Sequence, residues 1–124
     1  MDVAFNKIFK SRYANLPDSD KKKIFAFYQH VQQKGLTLLE GRNKNSDNVP
    51  KDDPDFLAKV QYAQANKLWH YHIGIEKYDM QRPFGARTSE WILHYINDVP
   101  TCIKIADLDS HPPFSLPAQP FLEE

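Results

Sequence analysis

The sequence predicts an α+β domain, and three observations carry that prediction. Ile24, Phe27, Tyr28 and Val31 recur at the i, i+3, i+4, i+7 spacing of one apolar helix face. After residue 66 the hydrophobic period changes from 3.6 to 2. The order of elements is strand, helix, helix, then three consecutive strands, which favours an antiparallel sheet carrying the N-terminal strand and two helices on one face. The 124 residues suit one domain with a core of its own, read as 1–124 with an irregular Pro-rich tail from about 108 to 124.

The elements follow in order. Residues 3–9, rich in β-branched and aromatic side chains, predict a first strand. Asp18 or Ser19 can cap a helix over about 19–34, and Gly35 supplies its stop. Lys21, Lys22 and Lys23 in its first turn read as a solvated face. Residues 40–55 are polar and rich in turn formers, a loop long enough to suggest function or mobility. Pro54 suits the first helical position of a second helix ending near Asn66, with Phe56, Leu57, Val60 and Ala63 as its buried stripe. Residues 68–75 alternate as a strand, 89–96 form a strand apolar on both faces, and 101–107 complete a meander after a turn at 97–100.

Composition narrows the function classes. Sixteen basic and 16 acidic residues cancel, so no global field attracts nucleic acid, and any such contact needs a local patch. An aromatic content of 13% argues against a disordered chain. The single Cys102 rules out an internal disulfide and a Cys-based zinc cage, and it reads as a small buried apolar residue. No run of about 18 apolar residues is present, and the N-terminus lacks an apolar leader core, so the expectation is a cytoplasmic protein without a membrane span. Phosphate-binding Gly-rich loops, a nucleophile elbow and a His-Glu-x-x-His pair are all absent from the sequence.

The chemistry-bearing residues cluster around one strand. If helices cover one sheet face, Trp69, Tyr71 and Ile73 enter the core, and His70 and His72 are left on the open face. Two histidines at i, i+2 can act as acid and base, bind a metal with a third group such as His111 or Asp109, or do neither. Arg82 and Arg87 precede the next strand and can reach a phosphate. Lys67 adds charge at the start of the histidine strand, and Lys104 alternates away from Ile103 and Ile105 onto the open face. His94, with apolar neighbours on both sides, reads as structural.

These pieces resemble a family. Tyr28 through Gly35 with Gly41-Arg42-Asn43, the segment Trp69-His70-Tyr71-His72-Ile73, Arg87-Thr88 with its following apolar strand, and a strand ending at Asp107 before His111 are together similar to the RelE/ParE superfamily of bacterial toxins. Within it the chain looks like the YafO-type, ribosome-dependent mRNA interferases. The resemblance implies a RelE-like fold and a type II toxin that cleaves mRNA, with the ribosome as its setting and a cognate antitoxin protein as its partner. It implies metal-independent phosphodiester cleavage with no cofactor. His70, His72, Arg87 and His111 would be catalytic, and Lys67, Arg82 and Lys104 would contact RNA. Two departures stand out: the chain is neutral where such toxins tend to be basic, and His70 and His72 replace the usual Lys and Arg pattern. A ParE-like protein-binding toxin and a small His-based metal enzyme are the alternative readings.

Overall fold

Asn6 ends the first strand and starts the first helix. In the computed structural model, which describes residues 1–110 and 115–123, its side-chain oxygen accepts the N–H groups of Ile8 and Phe9. These are orphan donors of a helix N-terminus. The strand expected over 3–9 is therefore β1 (Asp2–Phe5) followed by α1 (Lys7–Ala14). The helical signal was the spacing of Phe5, Phe9 and Tyr13, whose rings meet at 5.3–5.9 Å.

α2 (Asp18–Lys34) buries Ile24, Phe27 and Val31, as the apolar spacing predicts. Pro17, rather than Asp18 or Ser19, occupies its N-cap position, and Gly35, at φ +71°, ends it. The region expected as loop 40–55 contains a short strand, β2 (Asn43–Asn45). α3 (Phe56–Ala65) starts two residues after Pro54, because the Asp53 carboxylate holds the N–H of Asp55 in a turn and pairs with Lys59 at 2.7 Å. Of its expected stripe only Ala63 is fully buried, and Leu57 is exposed.

β3 (Leu68–His72), β4 (Trp91–Val99) and β5 (Cys102–Ser110) form the meander. β5 runs three residues into the tail expected to be irregular, and Gln119–Leu122 form a short 3-10 turn. The five strands lie in the order β1-β5-β4-β3-β2. β1 pairs parallel to β5 and every other neighbour is antiparallel, so the sheet is mixed rather than purely antiparallel. The parallel pair needs a crossover, and α1 through β4 supply it.

The register divides the sheet into two faces, because residues directly opposite each other point the same way. Tyr71, Leu93 and Leu108 face α2, as do Trp69, Tyr95 and Ile105, and Phe27 stacks on Tyr71 at 4.9 Å. Among the described residues, none from α3 joins this core cluster. The opposite face carries His70 beside His94 and Asp107, and His72 beside Ile92 and Asp109. It is not open: Leu68, His70, His72, Ile92 and His94 are all buried. Cys102 is half-buried beside Asp2 at the start of β5, more exposed than expected. No helix among the described residues is long and apolar enough to cross a membrane.

Candidate functional site on the histidine face of the sheet

His70 and His72 stand two residues apart on β3, with ring centroids 6.0 Å apart and planes inclined by 69°. Period-2 geometry places them on the face away from Phe27 and Tyr71, as the alternation predicts. Their exposure departs from the prediction: His70 retains 6% and His72 5% of full accessibility. The face is covered because the helices are not confined to one side of the sheet. α1 reaches around it through Arg12, which pairs with Asp107. The segment 115–123 is pinned to α3 by Tyr62, whose hydroxyl donates to the Pro117 carbonyl, and to α1 by Asn6, whose amide donates to the Pro120 and Glu123 carbonyls.

Each ring is oriented through Nδ1. For His70 this atom lies 2.9 Å from the Ser46 hydroxyl, just beyond β2. For His72 it lies 3.0 Å from both the N–H nitrogen and the carbonyl oxygen of Ser89. A bare Nδ1 accepts the Ser89 N–H, and a protonated Nδ1 donates to the Ser89 carbonyl, so this backbone serves either state of the ring.

β4 and β5 add three groups that sequence reasoning set aside or weighed only as a metal ligand. His94, 1% exposed, sits directly across from His70 and from Asp107. Its Nε2 lies 3.2 Å from Asp109 Oδ2, close enough to pair electrostatically although the angle falls outside hydrogen-bond geometry. The contact with His94 is the largest influence on Asp109 and holds its carboxyl below the usual range. Asp107 moves the other way, because burial raises it while the Leu108 N–H and Arg12, 2.5 Å away, act against that rise. The result is a cross-strand row, His70–His94–Asp107–Arg12, with His72 and Asp109 in the next row. The alternation Asp107-Leu108-Asp109 was its visible sign in the sequence. A bulge at Ala106 and the strand register decide which histidines those carboxylates meet.

The predicted cations do not form one patch around the histidines. Lys67 is exposed at the turn entering β3, at φ +55°, and half-buried Lys104 lies across from Ile96, itself paired with Leu68. Lys104 is on the histidine face, as predicted. Arg82 and Arg87 lie beyond the other end of β3. Arg82 is exposed and pairs loosely with Asp79 at 3.5 Å. Arg87 pairs with Glu40 at 2.7 Å, donates to the Arg82 carbonyl and sits 5.8 Å from the Phe84 ring. Glu40 and Phe84 line a cavity of about 380 Å³ with Phe27 and Tyr71, so Arg87 belongs with the aromatic side of the sheet. His111 lies outside the described residues. Among the described residues, no three His, Cys, Asp or Glu side chains are grouped to hold a metal ion.

Compared with family models, with curated proteins and with solved structures, the chain matches none.

Proposed function

We propose that the protein is an endoribonuclease toxin of RelE-like, YafO-type character, which inhibits translation by cutting mRNA on the ribosome and is neutralised by a cognate antitoxin. The observation that carries this reading is the side-by-side placement of His70 and His72, each with Nδ1 held by its own partner. An imidazole can serve as either acid or base in proton transfer. One histidine takes the proton of a ribose 2′-OH, whose oxygen attacks the adjacent phosphorus. The bond to the 5′-oxygen breaks, and the second histidine protonates that leaving group. The products are a 2′,3′-cyclic phosphate and a 5′-OH end, and the need for a 2′-OH restricts the reaction to RNA. The pair is carried by β3, the first strand of the β3–β4–β5 meander, which follows β1, three helices and β2.

Growth and transcript ends in a bacterial host expressing the parent, His70→Ala and His72→Ala provide the test. Loss of cleavage in both variants supports the mechanism, and full arrest with full cutting by both overturns it. Because both rings are buried, His70→Gln and His72→Gln, shown to be folded by thermal melting, accompany the alanine variants.

Burial of the histidine pair favours a second reading, a ParE-like toxin that acts by binding a protein target. Growth arrest with intact messages would select it.

A further inference from the structure

An RNA phosphate brought to His70 carries a negative charge that rises as the 2′-oxygen attacks, so the site needs a cation. Arg87, the sequence's choice, is engaged by Glu40 on the aromatic side of the sheet. Arg12 is engaged by Asp107. Lys104 lies two strands from His70 and in the next cross-strand row, opposite Ile96. Lys44 is different. It is the central residue of the edge strand β2, and its register partner is His70. Directly opposed residues of an antiparallel pair point to the same face with Cβ atoms about 5 Å apart. Lys44 is half-buried where His70 is buried, so it stands at the rim of the face with the histidine just inside it. Among the described residues it takes part in no ion pair.

We infer that Lys44 is the cation that meets the scissile phosphate, and that RNA reaches the histidines over the β2 edge. The inference rests on the endoribonuclease reading. The flexible stem lets the ammonium follow the phosphate from its ground state to the more highly charged transition state. The motion needs no rearrangement of the buried row, because β2 is hydrogen-bonded on one side only.

Purified parent, Lys44→Met, Lys44→Arg and His70→Gln test this on two readouts. The first is cleavage of mRNA on ribosomes. The second is affinity for a single-stranded RNA with a 2′-deoxy substitution at the cleavage site, measured by fluorescence anisotropy across a salt series. Lys44→Met is expected to cleave roughly a hundredfold more slowly. Its plot of log affinity against log salt should also be shallower by about 0.7, the loss of one phosphate contact on a single strand. Lys44→Arg should recover the salt slope and part of the rate. Parent-like rate and slope in folded Lys44→Met would overturn the role of Lys44, and a simultaneous loss of cleavage in His70→Gln would leave the nuclease reading standing. A parent protein that cuts no RNA overturns both.

Discussion

Arg12 and Asp107 make the most direct test of how the histidine face is held together. Asp107 is 6% exposed, and burial, with the neighbouring Asp109 charge, pushes its carboxyl above the ordinary range despite the guanidinium at 2.5 Å. Arg12→Met removes that cation and keeps most of the apolar stem. Breaking a buried pair costs about 3–5 kcal/mol when the remaining charge is uncompensated. Here the loss is smaller, because the Arg12 side chain is 40% exposed and the Leu108 N–H still serves Asp107. About 2 kcal/mol at neutral pH is the expected destabilisation, in the range of one charge-assisted hydrogen bond.

Urea unfolding at a series of pH values reads it. With a slope of about 2 kcal/mol/M, the midpoint should fall by about 1 M at pH 7. The pH dependence fixes the cause. A carboxyl whose folded pKa lies above its unfolded value takes up a proton in the native state first. Its penalty therefore stands in full above the folded pKa and is relieved as pH falls through that value towards the unfolded one, 3.8. Without Arg12 the folded value rises further, so the variant should regain stability relative to the parent as the solution is acidified. Asp109, held low by His94, has the opposite sign: its contribution is present above 3.8 and fades as pH falls below it. Arg12 adds to that lowering, so the variant loses part of it, and the difference between the two proteins narrows on acidification in the same sense as for Asp107. A midpoint shift under about 0.3 M at pH 7, or one constant across pH, would refute the assignment.

Two further outcomes follow from packing. Phe27→Ala removes the ring stacked between α2 and Tyr71 and should cost about 3–5 kcal/mol in calorimetry or urea unfolding, whereas Phe25→Ala, at a half-exposed position, should stay near 1 kcal/mol or below. An equal cost at both positions would contradict the placement of the core. Gly41→Ala puts a Cβ 1.9 Å from the His72 carbonyl oxygen and 2.9 Å from the Tyr71 ring. It should therefore release the segment that hydrogen-bonds Arg42 to His72 and to Arg87. Amide exchange at His72 reports it: the N–H donated to the Arg42 carbonyl should lose protection, and unchanged protection would contradict the close approach.

Periodicity reached far into this protein. The face of α2 was legible because Ile24, Phe27 and Val31 repeat with the helix, and a helix packs by that repeat whatever lies opposite. The opposition of Tyr71 to His70 and His72 was legible for the same reason, since alternation in a strand is a property of the backbone. Boundaries were less legible where a polar side chain redirected the chain, as Asn6 does between β1 and α1.

What only the tertiary structure decided depends on residues far apart in sequence. The parallel pairing of β1 with β5 joins residues 2–5 to 102–105 and makes the sheet mixed, and no local pattern encodes a partner that distant. The burial of His70 and His72 depends on Ser46 and on α3 packing against β3, with α1 and the turn at Gln119–Leu122 against β5, over a face that strand period alone leaves open. The meeting of His94 with Asp107 and Asp109 depends on register across two strands, shifted at Ala106. The sequence marks Arg87 as a cation able to reach a phosphate, because a sequence shows charge and not its partner. Glu40, 47 residues earlier, engages it, and Lys44 opposite His70 owes its place to an edge strand inside a stretch whose composition reads as loop. Side-chain type and period are local and survive in the sequence. Pairing, burial and charge compensation are long-range, and only the folded chain fixes them.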